Sequence, residues 1–171
     1  MKNIKIILFA FVLFALYATG YAQEAKTEKV EKNASNIEKF DPKRDAAKDI
    51  ENAVVEAKKS GKNILLDVGG EWCPWCRALS KLMAENKEIA DYMKANYVVV
   101  KVNFSKENKN EAVLSKYPKI PGYPHLFVLD SEGKLLHSQD TGVLESGKGH
   151  DPEKVLNFLK EWSPKNVKKA S

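Results

Sequence analysis

Ile64-Leu65-Leu66-Asp67-Val68 is followed, after Gly69-Gly70-Glu71, by Trp72-Cys73-Pro74-Trp75-Cys76, and this junction carries the architecture of the chain. The apolar run reads as a strand, and Arg77-Ala78-Leu79-Ser80-Lys81-Leu82-Met83 reads as a helix, so the chain's only two cysteines fall where a strand gives way to a helix. Two residues between cysteines let the sulfurs form and break a disulfide. A helix start offers unpaired backbone amides and the positive end of the dipole, which stabilise a thiolate and make it a nucleophile. Pro74 suits the first helical position, leaving Cys73 near the N-cap as the attacking sulfur and Cys76 one turn inside as the more shielded, resolving one. Two other readings use the same cysteines. A structural disulfide across so short a loop removes little entropy from the unfolded chain. A metal site needs about three or four ligands, and His125, His137 and His150 are not spaced as a local ligand pair.

The 171 residues support one domain with a real core. Residues 1–22 carry Lys2 and Lys5, an apolar stretch from Ile6 to Ala18 and the small-x-small ending Gly20-Tyr21-Ala22, the pattern of a secretory signal cleaved near Ala22. The apolar stretch is shorter than the ~20 residues a spanning helix needs, so a cleaved signal is read ahead of an uncleaved anchor, and after cleavage no stable membrane association is expected. Loss of Lys2 and Lys5 takes the formal charge from +5 to +3, with the remaining lysines interspersed among Glu and Asp, which argues against a nucleic-acid partner. Export to a periplasmic or extracellular space suits a cysteine pair, since those compartments permit disulfides.

Residues 23–40 are polar and nearly free of large aliphatics, and read as a flexible spacer. The domain is expected over 41–163. Asp41-Pro42 is read as a helix start, with Ala46, Ile50, Ala53, Val54 and Ala57 at helical spacing up to Ser60-Gly61. Strand 63–68, the cysteine helix from Cys73 to about Ala84, and a helix over 87–95 follow. The valine-rich strand 97–104 alternates poorly, which predicts coverage on both faces and a central place in the sheet. A helix over 107–116, a break at Pro118, Pro121, Gly122 and Pro124, and strands 125–129 and 134–138 joined as an antiparallel hairpin come next. Asp151-Pro152-Glu153 caps a closing helix, and the basic tail 164–171 reads as loose. Strands alternating with helices imply an α/β fold, a mixed central sheet of about four strands flanked by helices.

These residues resemble the thioredoxin family, in particular exported thioredoxin-like thiol:disulfide oxidoreductases, over roughly Asn63 to Trp162. Ile64-Leu65-Leu66-Asp67 with Glu71-Trp72-Cys73 is similar to the family's active-site strand and tryptophan-cysteine junction, although Pro74-Trp75 replaces the usual Gly-Pro between the cysteines. The resemblance makes Asp67 the buried acid that takes the proton of Cys76, and Lys101 the lysine facing it. It makes Ile120-Pro121-Gly122-Tyr123-Pro124 the cis-proline loop, with Pro124 cis and the backbone of Tyr123 offered to an extended substrate. Gly142 either permits close approach to the substrate groove or is a plain turn glycine. Trp72 is either core packing or, with the more exposed Trp75, a docking surface around the sulfurs; Pro74 belongs to the same surface. His125 follows Pro124 and stands near enough in sequence to reach the thiolate, or is simply packed. His137 and His150 have no argued role.

The expected activity is thiol:disulfide exchange with partner proteins through Cys73 and Cys76. A dipeptide without histidine points to a reductase or isomerase rather than a strong oxidase. Expected partners are disulfide- or thiol-containing proteins and a separate redox protein that recycles the site; no cofactor and no metal are expected, and a monomer is the default. The rival readings are a copper or zinc handling protein using the cysteines, with His125, and a non-catalytic thioredoxin-like module that holds a client on Trp72 and Trp75.

Overall fold

A computed structural model describes residues 38–170. The expected signal segment and nearly all of the spacer lie outside the described residues.

Helix α1 (Ala46–Ser60) starts where Asp45 accepts the Lys48 amide and ends at Gly61, whose φ of 68° lets its amide return to the Ala57 carbonyl. The start lies four residues later than Asp41-Pro42 suggested. Asp41 instead bonds the amide of Lys43 through its side chain, making a local turn. Next come β1 (Asn63–Gly69), α2 (Pro74–Glu85), α3 (Lys87–Asn96) and β2 (Tyr97–Asn103). They are followed by the single-turn α4 (Glu111–Leu114), then β3 (His125–Leu129) and β4 (Leu135–Asp140).

The four strands form one mixed sheet in the order β2-β1-β3-β4, with β1 parallel to β2 and antiparallel to β3, and β3 antiparallel to β4. The centre of the sheet therefore includes β1, all seven of whose residues are buried, and β2 lies at an edge. This corrects the central position expected for β2. Its valines report that helices cover both of its faces, and face coverage says nothing about which strands lie beside it. On one face Ile64, Leu66, Val68, Val98, Val100 and Phe127 pack with Ala53 and Ala57 of α1. On the other, Leu65, Leu126 and Val128 pack with Leu79 and Met83 of α2, Met93 of α3, and Val155 and Leu159 of α5 (Pro152–Glu161). The period-two alternation of β1 thus sends Asp67 and Gly69 to the face that carries α2.

The helix expected over 107–116 shrinks to α4 because asparagines claim the preceding backbone. Asn103 bonds the Asn108 carbonyl, Asn110 bonds the Asn103 carbonyl, and Asn110 adopts a left-handed φ of 50°. After β4, a 3-10 turn (Thr141–Leu144) and a miniature hairpin, β5 (Glu145–Ser146) with β6 (Gly149–His150), lead into α5. The tail expected to be loose begins with a further helix, α6 (Pro164–Ala170), with the Asn166 amide bonded to the carbonyl of the buried Ser163.

Candidate active site

Cys73 and Cys76 are joined by a disulfide, their Cα atoms 5.2 Å apart, within the range that two cysteines can bridge. Cys73 is the N-cap of α2: its sulfur accepts the Cys76 amide at 3.1 Å, the bond a serine or aspartate oxygen would make at that position. Pro74 stands exposed in the first turn, where its missing N–H costs nothing. The same amide and the helix dipole are in place to hold the Cys73 thiolate once the bridge opens. Across from it, the Tyr123 carbonyl oxygen lies 3.6 Å from the Cys73 sulfur, on a loop whose Tyr123–Pro124 peptide bond is cis.

Both cysteines are buried. Cys73 is only 3% exposed, covered by Phe40 and by the partly buried Trp75 and Tyr123. Cys73, read as the less shielded of the two sulfurs, is covered as well, because three aromatic rings from three separate segments converge over the bridge. Trp75 is half-buried rather than exposed, and meets the His150 ring edge-on at 5.8 Å. Trp72 is the exposed one, at 56%. Its indole N–H donates to the Phe104 carbonyl at 2.6 Å, its ring meets Tyr123 edge-on, and the Phe104 ring stacks on Tyr123. Core packing is therefore excluded for Trp72.

Asp67 is fully buried, and its Oδ2 receives the Lys101 ammonium at 2.5 Å; Lys101 also donates to Ser80 Oγ at 2.7 Å. Asp67 and Lys101 are neighbours because the parallel register of β1 and β2 sets them opposite each other. Ser80 in turn donates to the Cys76 carbonyl, tying the pair to the cysteine helix. Two residues on from Asp67, on the same face, a Cβ at Gly69 would stand 2.7 Å from the Cys76 sulfur, so only glycine leaves that sulfur its place. At Gly70 a Cβ would come within 2.4 Å of the Trp72 indole nitrogen.

Other expected residues are placed elsewhere. His125 is buried on the opposite face of the sheet, bonded to Ser138 Oγ at 2.9 Å and tilted against Phe127, and does not join the cysteines. Burial pushes its proton affinity below the ordinary value. Its partners Ser138 and Phe127, and not its proton affinity, keep it from standing beside the cysteines as a ligand. Gly142 is exposed in the 3-10 turn, its amide held by Asp140 Oδ1. The residue beside it makes the link to the loop, Thr141 Oγ1 donating to the Pro124 carbonyl at 2.5 Å. His137 stacks on Trp162 with ring centroids 4.2 Å apart.

Several residues at the site carried no local signal that sequence reading used. Phe40 was assigned to the spacer, yet it is buried against both cysteines. His150 lies beside Trp75, nine-tenths buried, with neither ring nitrogen hydrogen-bonded. Gly69 and Gly70 did have a legible signal, a glycine pair between a strand and the cysteines.

Residues 45–131 match the family described as thioredoxin-like. The disulfide bond reductase DsbH of Chlamydia pneumoniae is 29% identical over 93 residues, which are 49% of this chain and 55% of that protein. The thiol:disulfide interchange protein DsbD of Escherichia coli strain K12 is 25% identical over 139 residues, 78% of this chain and 23% of that protein. The chain thus spans about half the length of DsbH and about a quarter of DsbD. Among solved structures, a disulphide isomerase from Xylella fastidiosa Temecula1 superposes with a TM-score of 0.64 at 26% identity, over 71% of this chain and 94% of that one. The oxidised C-terminal domain of DsbD from Neisseria meningitidis shares the fold, with a TM-score of 0.53 at 19% identity, over 73% and 99%. A helix-capping cysteine pair facing a cis-proline loop, on a sheet of this order and in a chain half covered by the family match, fixes the lineage: the protein belongs to the thioredoxin-like family.

Proposed function

We propose that the protein is an exported thiol:disulfide oxidoreductase that exchanges disulfides with partner proteins through Cys73 and Cys76, working as a reductase or isomerase. The observation that carries this reading is the Cys73–Cys76 bridge at the N-terminus of α2, with the Cys73 sulfur accepting a helix amide. DsbH and DsbD, named as a disulfide bond reductase and a thiol:disulfide interchange protein, support the same chemistry. The leader-like residues 1–22 support export.

In the reducing direction the Cys73 thiolate attacks one sulfur of a client disulfide. A Cys73–client bond forms, and the other client sulfur leaves as a thiolate that takes a proton from water. Cys76 then gives its proton to Asp67 and attacks the Cys73 sulfur. The second client sulfur leaves with the electron pair and is protonated in turn, and the protein ends in the bridged form described above. The client has gained two electrons and two protons, and a separate thiol donor must reopen the Cys73–Cys76 bond. Lys101 holds Asp67 in place, the Tyr123 backbone lies against the incoming chain with the buried Pro124 setting its course, and Trp72, Pro74 and Trp75 form the surface on which the client lands.

The test is to express Cys76→Ser in the compartment to which the protein is exported. Client proteins are expected to accumulate as covalent adducts on Cys73 that reductant releases. No adducts, or equal adducts on Cys73→Ser, would sink the proposal.

A further inference from the structure

Phe40 precedes the family-matched residues, yet it is buried as deeply as Cys73. It is 3% exposed, and its amide donates to Glu71 Oε1 at 3.0 Å, which pins this stretch beside the loop leading to Cys73. Its ring packs with both cysteines, and its Cζ lies 3.1 Å from the place a Gly69 Cβ would occupy, directly beside the Cys76 sulfur. The Lys101 ammonium sits 4.2 Å from the centre of the same ring. An ammonium has three N–H donors. Here Asp67 Oδ2 and Ser80 Oγ accept from Lys101, and the ring of Phe40 lies against it on another side.

We propose that Phe40 is a positioning residue of the redox centre: its ring closes the Asp67–Lys101 pair and Cys76 off from water and from outside reagents. The physical basis is twofold. A ring face that meets a desolvated ammonium keeps the cation in place without offering it a water. With water excluded, the Cys76 thiolate forms only when Asp67 is ready to take its proton, because a bare thiolate in an apolar pocket is costly. This inference rests on the exchange reading for its biological use, but the closure it asserts is a property of the folded protein alone.

The test uses the full chain with Cys73→Ser, reduced, so that Cys76 is the single thiol, and follows its alkylation by iodoacetamide across pH. Phe40→Ala is expected to raise the rate at neutral pH by about tenfold or more, the effect of a one-unit rise in log thiolate fraction. The rate profile is expected to move toward lower pH. Phe40→Leu, which keeps an apolar plug, is expected to stay within about threefold of the parent, since both access to the sulfur and its thiolate fraction are preserved. Phe40→Val, which leaves the fold an apolar residue but opens the gap, is read in the same assay in case the alanine variant does not fold. Parental rates in folded Phe40→Val or Phe40→Ala overturn the proposal. Alkylation needs no client, so loss of the trapped adducts described above with intact Phe40 dependence would condemn the exchange reading and not the closure.

Discussion

Asp67 and Lys101 are register partners across the parallel pair β1 and β2, and their side chains meet at 2.5 Å with almost no solvent on either. A buried pair of this kind is costly to break from one side, since the remaining charge has no water to turn to. Lys101→Ala is expected to lower unfolding free energy by about 3–5 kcal/mol in denaturant titration. Lys101→Met together with Asp67→Asn, which leaves no orphan charge, is expected to recover most of that loss.

Asp67→Asn alone separates the two chemical steps. Attack by Cys73 on a model disulfide peptide should be unchanged, while release of the mixed disulfide by Cys76 should slow by about a hundredfold, the usual worth of a positioned general base. Rapid-mixing experiments that resolve the two phases make the comparison. Equal rates in the second phase would remove Asp67 from the proton path.

Gly69→Ala puts a methyl group 2.7 Å from the Cys76 sulfur and 3.1 Å from the Phe40 ring. Neither neighbour is free to move, one being bridged to Cys73 and the other packed in the core of the site. A loss of about 1–3 kcal/mol is expected on thermal or chemical unfolding, from overpacking. The loss should be larger in the oxidised protein, whose bridge fixes the sulfur.

Burial lowers the proton affinity of His150 below its ordinary value of 6.5, with Glu145 and Asp67 pulling the other way. His125 is lowered as well, by burial first and then by His137, against Asp140. Lys154 faces the same hairpin, its ammonium bonded to the Glu145 carbonyl. Each ring binds a proton less readily folded than unfolded. The stability from keeping them neutral is thus fully present above pH 6.5 and is lost as pH falls through their folded values. The melting temperature should hold steady above neutrality and drop in mild acid. His150→Phe, which keeps a ring against Trp75 and cannot titrate, should flatten part of that drop; an unchanged acid limb would show that other groups cause it.

Trp72 is more than half exposed and held by one hydrogen bond to the Phe104 carbonyl, so its removal should cost little stability. If its face receives the client, Trp72→Ala should raise KM for a disulfide-bearing protein while leaving kcat nearly unchanged, the pattern of lost uniform binding. A matched loss in exchange with a small disulfide, which needs no docking surface, would contradict that role.

The redox pair, its place at a helix start and the order of the main elements are legible in the residues alone. These follow from local features: a two-residue spacing, a proline that fits the first turn, and apolar periodicities of two and 3.6. Asp67, Lys101 and Pro124 were legible only through resemblance. What makes the first two a pair is the register of two strands 34 positions apart, and register depends on how faces are buried. Long-range packing settled that β2 lies at an edge, that asparagines shorten the helix expected over 107–116 to α4, and that His125 turns away from the cysteines. It also brought Phe40 against the sulfurs and His150 against Trp75. A lone aromatic in a polar stretch and a lone histidine in a glycine-rich turn have no periodic partners to mark them, and their burial comes from elements distant in sequence that close over them.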